Sequence, residues 1–160
     1  RNRLDMPQRC LKNSPVPPTN CTFKFAMVKQ AKDALGLPVV VRGISTAQDA
    51  LKAAAMGASA VWITEQNHFR SASSPISLLS GISSALKASE YAGTEVWLQG
   101  GVRRGTDVLK ALALGASAVF ADEDSVLFGI VKNGDNTGLE ALTSYLRDET
   151  QLAMVLTHST

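Results

Sequence analysis

The sequence predicts an α/β protein built around a parallel sheet of four strands. Short apolar segments of the buried-strand type alternate with segments whose apolar residues recur at helical spacing. Residues 43–61 and 101–119 align without a gap and share the pattern Asp-x-Leu-Lys-Ala-x-Ala-x-Gly-Ala-Ser-Ala-Val. Each repeat runs from a strand through a glycine turn and a helix into a second strand. This is a βαβ unit, and its strands lie parallel.

The elements follow an irregular, proline-rich segment over residues 1–22, which is expected to be extended or a linker. The first helix is expected over roughly residues 23–35, because its apolar residues have helical spacing and Gly36 supplies a stop. The helix between the repeats is expected to begin at Pro75 with Ser74 as its cap. The predicted strands are short and apolar, and they cover Val39–Val41, Ala60–Ile63, Val96–Leu98 and Ala118–Ala121.

A last helix, over residues 138–156, is expected to direct five leucines toward a core: Leu139, Leu142, Leu146, Leu152 and Leu156. Four parallel strands with helices on one side, here over residues 23–160, are half of a (β/α)8 barrel. A whole barrel needs about 250 residues, with about 200 as a floor, and this chain has 160. A half-barrel leaves two unpaired strand edges. We therefore expect self-association or a complementary half-barrel.

Composition excludes several classes of function. The chain carries 16 basic and 14 acidic side chains and 6% aromatic residues, without a basic stripe, so nucleic acid is not an expected partner. No window approaches the ~18 consecutive apolar residues of a membrane span. Cys10 and Cys21 form no disulfide framework, and an intracellular location is expected. The start at Arg1, with no methionine before Met6, indicates a missing upstream segment.

Candidate functional residues follow the strands, because ligands of parallel α/β proteins bind at the carboxyl ends of strands. The best candidate is the segment over residues 99–105, Gln-Gly-Gly-Val-Arg-Arg-Gly. Its glycines allow close backbone approach, and its arginines suit phosphate at a helix N-terminus. A flexible turn with two solvated arginines explains the same pattern, and both readings stay open. Trp62 and Trp97 lie within predicted strands, so we expect them to pack in the core or barrel wall.

Three segments, over residues 37–50, 100–116 and 146–154, resemble the FMN-dependent 2-hydroxy-acid oxidase and dehydrogenase family, which is glycolate oxidase-like. The run Gly-Gly-Val-Arg-Arg-Gly-Thr-Asp is the most specific of the matching motifs. The resemblance implies a (β/α)8 barrel of which this chain holds the C-terminal half, strands five to eight. It also implies FMN at the carboxyl ends of the strands, oxidation of a small 2-hydroxy acid begun by a histidine base, and a cytoplasmic or peroxisomal location.

The resemblance also implies cofactor-binding positions. Arg42 stands where the family has a lysine near flavin N1, and Gln99 stands where it has the aspartate that holds the ribityl chain. It further implies that three residues of the following turn contact the cofactor, namely Gly100, Gly101 and Arg103. The family arginine that grips the FMN phosphate is replaced by the acidic run over residues 122–124. That run lacks partners at suitable spacing for a metal, so no metal site is predicted.

The resemblance leaves two registers open for the catalytic segment. An ungapped alignment places residues without basic or anion-binding chemistry at the family's histidine, arginine and aspartate, namely Gln66, Phe69 and Ala72. A gapped alignment keeps His68 as the base and Arg70 as the ligand of the substrate carboxylate. In the first register, His68 is an exposed loop histidine.

These observations support three interpretations. The leading one is a truncated, catalytically degenerate homologue of FMN-dependent 2-hydroxy-acid oxidases that acts through binding or assembly. The second is an active FMN-dependent (S)-2-hydroxy-acid oxidase, of the glycolate or lactate type, completed by another chain or a missing segment. The third is a phosphate-ligand binding module that uses Arg103 and Arg104 without redox chemistry.

Overall fold

The computed structural model describes residues 24–64, 74–121 and 137–159, in which five helices and four strands alternate. The helices are α1 (Ala26–Leu35), α2 (Ala47–Ala55), α3 (Pro75–Lys87), α4 (Gly105–Ala113) and α5 (Thr137–Leu156). The strands are β1 (Val40–Arg42), β2 (Ala60–Ile63), β3 (Glu95–Gln99) and β4 (Ala118–Phe120). The irregular segment expected over residues 1–22 lies outside the described residues.

The four strands form one parallel sheet in the order β1-β2-β3-β4. Sheet order follows chain order because each helix carries the chain to the next parallel position, as the βαβ pattern predicts. Arg42 pairs with Trp62, Trp62 with Trp97, and Trp97 with Ala118, so one row of residues crosses all four strands. Within the described part of the chain, β1 and β4 each have one open edge. The expected half-barrel architecture is confirmed.

The core lies between the sheet and its helices. Successive strand residues point to opposite faces, and the residues buried on the helix side include Val41, Val61, Ile63, Val96 and Leu98. Against them pack helix residues that are nearly free of solvent contact, among them Ala50, Ala53, Leu79, Ile82, Leu86 and Ala111. The alternate strand residues, including Arg42, Trp62, Trp97 and Phe120, therefore share the face that these helices do not cover.

The N-terminus of α3 differs from the expected cap. Ser74 holds the extended N-cap conformation and Pro75 begins the helix, but the Ser74 side chain makes no capping hydrogen bond. The Ser74 carbonyl oxygen instead accepts a hydrogen bond of 2.6 Å from Ser77 Oγ. The predicted helix start and the N-cap position of Ser74 are confirmed, and the cap residue contributes through its carbonyl oxygen, without a capping bond from its hydroxyl.

The five leucines of α5 do not share one buried face. Leu142 and Leu146 are half-buried, whereas Leu139, Leu152 and Leu156 are 36%, 58% and 72% exposed. The helix packs on the N-terminus of α4 through Leu146, Glu149 and Thr150, whose backbone atoms lie next to Gly105. The prediction is therefore wrong for these three leucines, which lie outside that contact.

Candidate functional site

Arg42 and Gln99 meet at the carboxyl ends of β1 and β3. Arg42 Nη2 donates a hydrogen bond of 3.2 Å to Gln99 Oε1, although the two residues are 57 positions apart in the chain. The Arg42 side chain reaches across β2 to do this, and its guanidinium carbon lies 5.2 Å from the ring centroid of Trp62. A hydrogen bond and a cation–π contact together hold the guanidinium in place.

An aromatic cluster continues this face of the sheet. The rings of Trp62 and Phe120 are stacked with centroids 4.6 Å apart, and the Trp97 ring lies 5.8 Å from Trp62 and 5.6 Å from Phe120. These separations fall within the range of favourable aromatic pairs. Both tryptophans are half-buried, so the expectation that they pack in the barrel wall is confirmed. The wall they form is the inner one, on the face opposite α2, α3 and α4.

One polar atom of this cluster is unsatisfied. Trp97 Nε1 donates to Glu95 Oε2 at 2.7 Å, whereas the buried Trp62 Nε1 has no hydrogen-bond partner among the described residues. A buried donor without an acceptor costs about 1–3 kcal/mol. The inner face therefore contains a local destabilising feature next to Arg42.

The turn after β3 is built by two glycines. Gly100 and Gly101 have φ values of +116° and +74°, a region that side chains with a Cβ rarely adopt. Val102 is buried and Arg103 is exposed. A Cβ placed on Gly101 would meet no described atom within 4 Å, so the positive φ, and not crowding, favours glycine there.

The N-terminus of α4 is closed by two carboxylates. Asp107 Oδ2 accepts hydrogen bonds from the backbone N–H groups of Arg103 and Arg104, at 3.2 and 3.1 Å. Glu149 Oε2, from α5, accepts from the backbone N–H of Gly105 at 2.8 Å. The backbone amides of Arg103, Arg104 and Gly105 are therefore already used. The side chains of Arg103 and Arg104 are exposed beside them.

The structure brings together part of the site predicted from the sequence. Arg42 and Gln99 are in contact, and Gly100, Gly101 and Arg103 follow directly in the adjoining turn. His68 and Arg70 lie outside the described residues, as do the residues of the ungapped register, Gln66, Phe69 and Ala72, and the acidic run over residues 122–124. Their catalytic roles stay predictions.

Two features of the site were missed in the sequence. Glu149 caps α4 from 44 residues away, and no local pattern marks a helix glutamate as the partner of a distant amide. The aromatic cluster could have been found, because Trp62, Trp97 and Phe120 occupy alternate positions of adjacent parallel strands. The described part of the chain contains no group of acidic, histidine or cysteine residues that could hold a metal ion. It also contains no helix long and apolar enough to cross a membrane.

The family model of FMN-dependent dehydrogenases matches residues 13–159. The chain belongs to this family. The match includes β1 to β4 and the glycine turn, so the resemblance seen in the three sequence segments is confirmed.

Individual family members resemble the chain over most of its length. Glycolate oxidase 3 of Arabidopsis thaliana is 38% identical over 129 residues, which are 81% of this chain and 34% of that protein. Glycolate oxidase of Spinacia oleracea is 37% identical over 75% of this chain and 31% of its own length. A solved flavocytochrome b2 variant superposes with a TM-score of 0.77 and 31% identity, covering 88% of this chain and 37% of that chain. The chain thus spans about a third of the length of the curated relatives it matches.

Proposed function

We propose that the chain is a non-catalytic partial barrel of the FMN-dependent dehydrogenase family, which acts by assembling with another protein half. The family uses FMN as its cofactor. Four of the strands of a (β/α)8 barrel are present, and the chain matches about a third of the length of its relatives. By family resemblance we also propose an intracellular location, in the cytoplasm or the peroxisome, which imaging of a tagged chain tests.

The bond between Arg42 and Gln99 carries the proposal. By resemblance, these positions contact flavin N1 and the ribityl chain, yet here each side chain is the other's partner at 3.2 Å. This bond uses one of the five N–H donors of Arg42 and one acceptor site of the Gln99 amide. The guanidinium also lies 5.2 Å from the centroid of the Trp62 ring. A hydrogen bond to a charged group is worth about 1.5–3 kcal/mol, so a ligand that needs either side chain in another position competes with these contacts.

Two carboxylates lie at the N-terminus of α4, within the segments that this chain shares with the family, so they bear on phosphate ligands in general and do not set this chain apart from other family members. Asp107 and Glu149 occupy the amides at the N-terminus of α4 and place two negative charges there. A unit negative charge about 4 Å from one of them is repelled by about 4 kcal/mol at an effective dielectric of about 20. Exposed Arg103 and Arg104 side chains offset part of this cost, and water screens both effects. This balance also argues against a simple phosphate-binding module.

An active oxidase is the second candidate, in which another chain or segment completes the barrel. Its support is the exposed side chain of Arg103 in the turn after β3, at a position that the resemblance places at the cofactor. In this reading a small 2-hydroxy acid is oxidised, with His68 as the base and Arg70 on the substrate carboxylate. It requires the Arg42 and Gln99 side chains to turn toward a ligand.

Flavin-dependent stabilisation and turnover distinguish the two candidates. The purified chain, alone and mixed with the N-terminal half of spinach glycolate oxidase, is heated with and without excess FMN, and glycolate-dependent dye reduction is measured in parallel, with whole spinach glycolate oxidase as the positive control. A ligand at one hundred times its Kd stabilises the folded state by about 2.7 kcal/mol, which a melting curve resolves easily. We expect no shift and no turnover. A saturable shift with glycolate oxidation would contradict the proposal and make the His68→Ala variant the next experiment.

A further inference from the structure

The inner face of the sheet carries a surplus of hydrogen-bond donors near the carboxyl ends of β1, β2 and β3. Arg42 has five N–H donors, and one of them is used by Gln99 Oε1 at 3.2 Å. The Gln99 amide adds two N–H donors of its own. Trp62 Nε1 is a buried donor without a partner among the described residues. Because donors exceed acceptors here, this end of the face suits an anion with several oxygen atoms.

The guanidinium of Arg42 is exposed and yet held in one position. The bond to Gln99 fixes one edge of the guanidinium, and the Trp62 ring lies 5.2 Å from its central carbon. A side chain that is already held in place loses less conformational entropy when a ligand binds. Arg42 is therefore prepared to form the two parallel hydrogen bonds with which a guanidinium binds a carboxylate.

No nearby carboxylate on the described inner face balances the charge of Arg42. The strand residues that share this face include two charged side chains, Arg42 and Glu95. Glu95 lies four residues before Gln99, which is about 13 Å along a strand at about 3.3 Å per residue. Its carboxylate accepts from Trp97 Nε1 at 2.7 Å. That separation exceeds the Debye length of about 10 Å, so the carboxyl end of the described face stays positive.

An apolar surface adjoins this cation. Trp62, Trp97 and Phe120 are half-buried, so each residue keeps some accessible surface. Their ring centroids lie between 4.6 and 5.8 Å apart, and the three rings form one continuous apolar surface. Sites for small molecules typically combine an apolar lining with a few well-placed polar groups. The inner face has this composition, with Arg42 and Gln99 as the polar groups.

We infer that Arg42 and Gln99 bind the carboxylate of a small aromatic acid whose ring packs on the cluster of Trp62, Trp97 and Phe120. Both side chains bind this ligand from the positions that they already hold. A 2-hydroxyl group takes no part in these contacts, so the ligand differs from the substrate of a 2-hydroxy-acid oxidase. The inference rests on the proposed function in one respect, because by resemblance a bound flavin would use the same Arg42 position.

A tryptophan fluorescence titration with phenylacetate tests the inference. Phenylacetate joins one carboxylate to one aromatic ring and has no hydroxyl group. The chain has two tryptophans, and both belong to the cluster, so their emission reports on this face of the sheet. We expect a saturable change at neutral pH with half-saturation at about 1 mM or below. An emission change that does not saturate by about 10 mM, ten times that value, would overturn the inference.

Two related compounds show which groups of the ligand are recognised. Phenylacetamide keeps the ring and lacks the charge, so its affinity should be about tenfold weaker or less. Mandelate adds a 2-hydroxyl group, which the inferred contacts do not use, so its affinity should lie within about threefold of that of phenylacetate. Equal binding of phenylacetamide and phenylacetate would overturn the inference. Binding of mandelate about tenfold tighter than that of phenylacetate would also overturn it.

Variants of exposed arginines separate the site from general charge effects. Arg42→Gln removes the guanidinium and should weaken phenylacetate binding about tenfold or more, with an unchanged circular dichroism spectrum. Gln99→Glu places a carboxylate beside Arg42 and should weaken binding to a similar extent. Arg147→Gln is the matched control, because Arg147 is an exposed arginine on α5, and its affinity should stay within about twofold. Equal affinities of the Arg42→Gln and Arg147→Gln variants would exclude the proposed site.

A visible spectrum of the same samples distinguishes this inference from the proposed function. A chain that binds phenylacetate and loses FMN on dialysis supports both. A chain that loses FMN and does not bind phenylacetate supports the proposed function and contradicts the inference. A chain that retains FMN contradicts the proposed function, and the phenylacetate titration of the same chain then supports or overturns the inference by itself.

Discussion

Gly105 is the closest point between α4 and α5, and replacing it with alanine tests their packing. A Cβ at Gly105 would lie 2.7 Å from both the Glu149 carbonyl carbon and the Leu146 carbonyl oxygen, and it would also meet the Thr150 backbone nitrogen. All three atoms are backbone atoms of α5, so no side chain can rotate away. The Gly105→Ala variant must displace α5 or strain α4.

The expected loss in the free energy of unfolding is about 3 kcal/mol. Overfilling a packed contact costs about 1–3 kcal/mol. Displacing α5 also weakens the bond from the Gly105 amide to Glu149, 2.8 Å, and the bond from Thr150 Oγ1 to the Gly105 carbonyl oxygen, 3.2 Å. Hydrogen bonds of these two kinds contribute about 1.5–3 and 0.5–1.5 kcal/mol. The higher helix propensity of alanine returns up to about 1 kcal/mol.

Gly81→Ala is the matched control, because Gly81 lies within α3 and a Cβ there would meet nothing within 4 Å among the described atoms. This variant should gain about 0.5–1 kcal/mol from helix propensity. Urea unfolding followed by circular dichroism measures both variants, and the two midpoints should move in opposite directions. A Gly105→Ala variant within about 1 kcal/mol of the unmodified chain would refute the packing described for α4 and α5.

Three further predictions concern single side chains. Thr46→Ala should cost about 1 kcal/mol in urea unfolding, because Thr46 Oγ1 accepts from the Asp49 amide at 3.1 Å, and Thr46→Ser should restore most of it. Trp62→Phe should change the free energy of unfolding by less than about 1 kcal/mol, since the loss of buried ring area is offset by removal of the Nε1–H group that has no partner among the described residues. A larger loss in urea unfolding would contradict this. The pKa of Tyr91 is raised, first by a side-chain hydrogen bond with Glu90, then by burial of the phenol, and then by the negative charge of Glu90. Glu90→Gln should therefore lower the pKa of Tyr91 in an ultraviolet absorbance titration. An unchanged titration would exclude this role of Glu90.

The repeat made most of the fold predictable, because its signals are local. A short apolar segment, a glycine turn and an amphipathic helix each act within a few residues, and β2 was predicted with its observed bounds, Ala60–Ile63. For α5, helical spacing predicted that all five leucines face a core. It could not show that Leu152 and Leu156 are exposed, since helical periodicity marks faces that can be buried and not which face is buried.

The site was less predictable than the fold. The resemblance marked Arg42 and Gln99 as separate cofactor positions, and neither motif indicates that side chains 57 residues apart bond to each other. Their contact depends on side-chain reach across β2, which the curvature and register of the sheet determine. The position of the Glu149 carboxylate at the N-terminus of α4 likewise depends on how α5 packs against α4, which local sequence does not show. Family motifs identify positions, whereas the partner of each side chain depends on the whole half-barrel.

Retention of FMN by the isolated chain is the most direct test of the central claim, that its flavin-proximal residues are bonded to each other instead of a cofactor. The visible absorption spectrum is recorded for the purified chain, after addition of FMN, and again after dialysis. We predict a colourless protein after dialysis, because Arg42 and Gln99 are bonded to each other and the described chain supplies four of the eight strands of a barrel. Retained bands near about 370 and 450 nm, at one flavin per chain, would contradict the account.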